Sequence, residues 1–172
     1  GLGVNVHARN GETPLVHASR VGAAEVVRLL LERGADVNIC GRSQYKVPPI
    51  HAAVQSGELA VVELLLQHGA EVDSKAPDGS TALLAAAIQG NAAIIRALIN
   101  HGANINVEGA EGVGVLHAAA QGGYSESVRL LLAFGADPHK KAFKGCETPL
   151  LSASQSGDVP TIKALVKAGA DV

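Results

Sequence analysis

The stretch Gly11 to Asn38, GETPLVHASRVGAAEVVRLLLERGADVN, reads as two short helices punctuated by glycine. Thr13 suits a helix N-cap and Pro14 a first turn, where a missing N–H costs nothing. Gly22 ends that helix, because a glycine just past a helix end accepts a left-handed conformation that costs a residue with a Cβ roughly 1–2 kcal/mol. A second helix is expected from about Ala24 to Arg33. It directs Val26, Val27, Leu29, Leu30 and Leu31 to a core and Glu25, Arg28, Glu32 and Arg33 to solvent, and Gly34 closes it.

The same punctuation recurs along the chain. Gly-Ala pairs begin at Gly34, Gly69, Gly102, Gly135 and Gly169, at spacings of 35, 33, 33 and 34. Gly22, Gly57, Gly90, Gly123 and Gly157 keep those spacings, so two independent ladders share one register. Leu15, Ile50, Leu83, Leu116 and Leu150 form an apolar column in the first helices, and Leu30, Leu65, Leu98, Leu131 and Leu165 one in the second. No single pair of such short helices can bury its apolar face, whereas stacked pairs can. Ala18, Ala53, Ala86, Ala119 and Ala153 form a small-residue column that lets neighbouring first helices approach closely. Shorter inner helices against longer outer ones predict a curved stack with the first helices on its concave side.

The unit resembles the ankyrin repeat. The family pattern Gly-x-Thr-Pro-Leu-His-x-Ala, Gly, Leu-Leu, Gly-Ala-Asp-Val-Asn is met by Gly11 to Leu15, Ala18, Gly22, Leu30-Leu31 and Gly34 to Asn38, and the match covers nearly the whole chain. The resemblance implies an all-α solenoid of stacked helix-turn-helix repeats whose hairpin loops project as fingers. The reading is one ankyrin repeat domain over 1–172. Residues 1–7 are the tail of a preceding repeat, and repeats run at about 8–40, 41–75, 76–108, 109–141 and 142–172. No unit carries both the Thr and the His of the family pattern. Thr13, Thr81 and Thr148 are followed by Val16, Leu84 and Leu151, and His51 and His117 follow Pro48 and Gly114, so the bond joining that pair is missing and looser loops are expected. Insertions enlarge the fingers at Cys40 to Lys46 and Lys140 to Gly145.

The 172 residues are 47% hydrophobic yet 2% aromatic, with no Trp or Met, so the core is aliphatic. The longest uncharged apolar runs, such as Ala82 to Ile88, are far shorter than the ~20 residues of a membrane span, and no secretory segment is visible. A first residue of Gly1 is expected of an excised fragment or processed chain, and the core register kept by Ile162, Leu165 and Val166 predicts further repeats or another domain on at least one side. Two distant cysteines, Cys40 and Cys146, make no disulfide framework and point to a reducing, intracellular home, cytoplasmic or nuclear. Net charge is −2, too near neutral for a nucleic-acid or anionic-membrane partner. It is unevenly spread, at +2 over 1–46, −6 over 47–128 and +2 over 129–172.

No catalytic constellation survives inspection, and no cofactor or metal is expected. Gly112-Val113-Gly114 starts like a nucleotide-binding turn but has His117 where the third glycine belongs and no strand before it. Gly123-Tyr124-Ser125-Glu126-Ser127 is half a nucleophile elbow between two helices. His51 and His117 sit at equivalent positions and are read as inward-pointing and hydrogen-bonded. His68 and His101 precede Gly-Ala at helix C-termini, where imidazolium meets the negative end of the dipole, with no carboxylate or Cys to complete a zinc site. Tyr124 and Phe134 are read as packing at helix ends. Lys140, Lys141 and Lys144 read as a solvated loop rather than a basic patch.

The expected function is non-catalytic protein–protein interaction: a scaffold or adaptor module, monomeric, gripping a protein partner of unknown identity with loop fingers and first-helix faces. The alternative is a regulatory or targeting segment of a larger enzyme or channel, making intramolecular contacts. In register, the projecting positions are Arg9, Asn10, Glu12 and Arg20 in the first unit, and Gln44, Tyr45 and Gln55 in the second. The third contributes Asp78, Ser80 and Gln89, the fourth Glu111 and Gln121, and the fifth Lys144, Glu147 and Gln155. Helices stacked ~10 Å apart give a groove of roughly 40–50 Å. Tyr45 is either an interface anchor or a loop-packing residue. Leu30 to Asn38 is similar to segments that an asparaginyl hydroxylase recognises in animal ankyrin proteins, although bracing the loop is the preferred role for Asn38.

Overall fold

The computed structural model describes residues 3–42, 46–142 and 147–171. Among them lie ten α-helices, in pairs: α1 Pro14–Arg20 and α2 Ala24–Glu32, α3 Pro49–Ser56 and α4 Leu59–Gln67, α5 Ala82–Gln89 and α6 Ala92–Asn100, α7 Val115–Gln121 and α8 Ser125–Ala133, α9 Pro149–Ser156 and α10 Val159–Lys167. First helices have seven or eight residues and second helices nine. The helices stop where the glycine ladder places them, with Gly22, Gly57, Gly90, Gly123 and Gly157 all at positive φ. Fingers precede the first helices and close with single antiparallel bridges, Lys75 with Thr81, Glu108 with Gly114 and Ala142 with Glu147. The chain divides into two compact units, residues 1–82 and 83–172.

In the first unit α1 packs on α2 and α3, and α4 on α2 and α3. Leu15, Val27, Ile50, Ala53, Val61 and Leu65 are at most 1% exposed, and Ala18 is 4% exposed. The expected inward turn of Val26 and Leu29 is corrected here: they are 49% and 48% exposed, and Leu30 is half-buried. Their equivalents in α4, Val61 and Leu64, are buried. In this unit α4 packs on α2 and α3, and the exposure of Val26 and Leu29 shows that the corresponding face of α2 is left uncovered. Periodicity names the apolar face, and a neighbour decides whether it is buried.

In the second unit α7 packs on α8 and α9, α8 on α6 and α10, and α9 on α10. Leu83, Leu98, Leu131 and Leu165 are fully buried. Ile162 is only half-buried and Val166 is 42% exposed, so of the three residues read in core register at the last helix Leu165 alone is enclosed. The first-helix position that is buried as Leu84, under Gly109 of the next finger, is 47% exposed as Leu151.

The separated Thr and His of the family pattern have found other partners. The hydroxyls of Thr13 and Thr148 accept from the amides of Val16 at 3.2 Å and Leu151 at 3.3 Å, capping their helices. His51, 2% exposed, donates its Nε2–H to the Ser74 carbonyl at 2.8 Å. His117, equally buried, donates Nε2–H to the Glu147 carbonyl at 3.2 Å and accepts the Gly114 amide on Nδ1 at 3.4 Å, the amide of the residue that replaces the capping Thr. Each histidine thus ties a first helix to the finger that follows it. His68 and His101 donate Nδ1–H to the carbonyls of Leu64 at 2.8 Å and Ala97 at 2.9 Å, satisfying last-turn acceptors of their own helices.

Candidate protein-binding surface

The first finger of the first unit is a tight turn in which the Ala8 amide donates to the Glu12 carbonyl and the Gly11 amide to the Ala8 carbonyl, both at 2.8 Å. Gly11, at φ 80°, makes that closure possible. Arg9 and Asn10 stand exposed at its tip. Glu12, at its base, accepts from Nε and Nη2 of Arg20, both at 3.1 Å, and from Asn10 at 3.1 Å, with His17 Nδ1 3.2 Å away. The Arg20 guanidinium is the main reason the Glu12 carboxyl lies below its ordinary range. Glu12 and Arg20 therefore present a preset, bidentate ion pair instead of two independent contacts. A cleft of about 560 Å³ opens beside this finger, lined by Val6, Ala8, Arg9, Glu12, Pro14 and His17 among others.

Gln55 on α3 is exposed. In the finger ending at Thr81, Asp78 is exposed and accepts both the amide and the hydroxyl of Ser80, at 2.9 and 2.6 Å, which lowers its carboxyl's pKa. Ser80, half-buried, braces the turn. Gln44 and Tyr45 lie outside the described residues, as does Lys144.

In the second unit Glu111 is exposed at the tip of the finger between Glu108 and Gly114. It is the one described non-glycine residue at positive φ, 57°, followed by Gly112 at 77°. The turn has moved one residue relative to the Asp78 finger: the Val113 amide donates to Ala110 at 3.1 Å, whereas in the Asp78 finger Gly79 donates to Ala76. Glu111 thereby takes a conformation that glycine would fill more cheaply. Gln121 and Gln155 are exposed on α7 and α9. Glu147 is half-buried and its carboxylate accepts from Ser152 Oγ at 2.7 Å, so its side chain also braces its own repeat. Gln89 is exposed, but it follows the column of Arg20, Gln55, Gln121 and Gln155 by one position. Ile88 occupies that column, 58% exposed, an apolar member that counting polar residues overlooked.

Asn38 is exposed and bridges two repeats, its Oδ1 accepting the Glu71 amide at 2.9 Å and its Nδ2 donating to the Gly69 carbonyl at 3.2 Å. Asn5 repeats half of that bridge by accepting the Asp36 amide at 2.9 Å. The signal was in the sequence, since Asn5 and Asn38 lie 33 residues apart at the same place in the unit. Among the described residues no group of three His, Cys, Asp or Glu side chains is placed to hold a metal, and no helix is long and apolar enough to cross a membrane.

These paired helices with bridged fingers define an α-helical repeat protein. A family model described as ankyrin repeats in three copies matches residues 1–76, 50–142 and 115–172, and the chain belongs to the ankyrin repeat family. Repeats of this family are generally protein–protein interaction modules and generally non-catalytic. No curated protein matches the chain.

Proposed function

We infer that this chain is a non-catalytic scaffold or adaptor module that binds a protein partner through its finger tips and the exposed faces of its first helices. The observation that supports this most is the run of polar side chains left exposed at equivalent positions: Arg20 and Gln55 in the first unit, Gln121 and Gln155 in the second, with Arg9, Asn10, Asp78 and Glu111 on the fingers. Helix caps, histidine ties and the Asn38 bridge hold the backbone that carries them, so binding costs little ordering of main chain. Glu12, Ser80 and Glu147, all half-buried, contribute mainly by fixing that surface. The module acts as a monomer inside the cell, in cytoplasm or nucleus, in keeping with the free thiol of Cys40.

Tyr45 remains the proposed anchor. Partners captured from cell extract by the immobilised chain are identified by mass spectrometry and titrated calorimetrically against single variants. Tyr45→Ala weakens binding by about tenfold or more, the ~2 kcal/mol typical of truncating an interface anchor, without altering the helical circular dichroism. Glu111→Lys changes chiefly the salt dependence. Unchanged affinity for the Tyr45 variant, together with loss on substituting Arg28 or Glu63 of the outer helices, defeats this reading.

A further inference from the structure

We propose that the outer face of the second unit is a separate docking site for an acidic protein segment with an apolar anchor, seated in the groove between α8 and α10. The groove has a volume of about 340 Å³ and is lined by Arg129 of α8 and by Val159, Pro160, Lys163, Ala164 and Lys167 of α10. Its floor is apolar, and Val159 is 55% exposed. Its rim carries three cations, none of which makes an ion pair or side-chain hydrogen bond among the described residues.

The repeat register extends the rim. Arg96, Arg129 and Lys163 occupy the same place in α6, α8 and α10, all exposed, and α8 packs against both neighbours. In the first unit the equivalent Arg28 has an acid at 3.7 Å, Glu25 one turn earlier, and Glu63 stands at the next equivalent position. Bulk charge does not explain the stripe, because residues 83–172 hold seven Lys/Arg and seven Asp/Glu. Of the acids near it, the Asp158 carboxylate caps α10 by accepting the Thr161 amide at 2.8 Å, while Glu126 stands a turn before Arg129, as Glu25 does before Arg28, but makes no ion pair with it among the described residues. A helix dipole accounts for Lys167 in the last turn of α10 but not for Arg129 or Lys163 in mid-helix.

Unpaired cations around an apolar recess are complementary to a chain that brings carboxylates and one or two apolar side chains together. A free phosphate would leave the apolar floor uncovered, and a flat bilayer would not reach a recess between two helices. A cavity of this size admits one large apolar side chain with its adjoining backbone.

The test is fluorescence anisotropy of the intact chain with a labelled peptide, Glu-Asp-Leu-Glu-Phe-Asp-Glu. Two comparison peptides replace its acids by their amides or its Leu and Phe by Ser. Inorganic phosphate and phosphatidylserine vesicles serve as competitors. The acidic apolar peptide should bind saturably and at least about tenfold more tightly than either comparison peptide. Arg129→Glu with Lys163→Glu, or Ala164→Trp to fill the groove, should each lower its affinity by about tenfold or more. Arg28→Glu and Tyr45→Ala should leave it unchanged, which separates this site from the finger surface. If the charge-reversed pair fails to fold by circular dichroism, Arg129→Gln with Lys163→Gln is read in its place. Absence of saturable binding, equal binding of the Ser peptide, insensitivity to the groove variants, or displacement by phosphate or by the vesicles would overturn the proposal.

Discussion

Replacing Gly90 by Ala should cost far more than the same change at Gly157 or Gly57, although all three have nearly the same backbone angle, φ 70°, 70° and 74°. The shared part of the penalty is left-handed strain, roughly 1–2 kcal/mol for a residue with a Cβ. At Gly157 and Gly57 a new Cβ meets nothing within 4 Å. At Gly90 it would run into the ring of Tyr124, which also lies against Gly122. The colliding atoms are at the root of the ring, so the whole side chain must turn away. Tyr124 is 37% exposed and would forfeit most of its remaining contact. Complete burial of a large apolar side chain stabilises by ~1.5–3 kcal/mol, so losing about two-thirds of it adds ~1–2 kcal/mol. Gly90→Ala should therefore destabilise by about 2–4 kcal/mol and Gly157→Ala or Gly57→Ala by about 1–2. Urea unfolding followed by far-ultraviolet circular dichroism measures this, comparing midpoints where slopes agree. In a Tyr124→Ala background the Gly90 penalty should fall to that of Gly157. Equal costs for Gly90→Ala and Gly157→Ala, or a Gly90 penalty unchanged by Tyr124→Ala, would refute the reasoning.

Glu111→Gly should raise the urea midpoint by the equivalent of about 1 kcal/mol by removing left-handed strain at φ 57°, and a lowered midpoint would show that the side chain stabilises its finger. Asn38→Ala should cost about 1–2 kcal/mol by leaving the Glu71 amide and Gly69 carbonyl without their partner, with faster amide exchange at Glu71 as the local sign. Burial holds the pKa values of His51 and His117 below the ordinary imidazole value, so the unfolded chain binds more protons there. Stability is then full above pH ~6.5 and falls as pH drops below it, by at most about 1.4 kcal/mol per pH unit for each histidine, until the folded-state values are passed. His51→Gln with His117→Gln should flatten that fall in thermal melts, and an unchanged slope would assign it to other groups.

The interval of about 33 residues, the glycine stops and the alternation of helix faces were all legible in the sequence, because they depend on 3.6-residue periodicity and on φ angles that only glycine adopts cheaply. Thr13 as a cap and His51 and His117 as buried, bonded residues follow from their place in the unit. Tertiary structure decided which apolar faces acquire a neighbour. Val26 and Leu29 look identical in pattern to Val61 and Leu64, yet only the latter pair is buried, since burial belongs to the contact between two helices. It also decided which polar candidates are free to bind: Glu12 is held by Arg20, Ser80 by Asp78, and the Glu147 carboxylate by Ser152, pairings that depend on how each turn closes in space. The stripe of Arg96, Arg129 and Lys163 needed both, since the repeat interval sets its members in register and only packing of α6, α8 and α10 side by side makes them one surface.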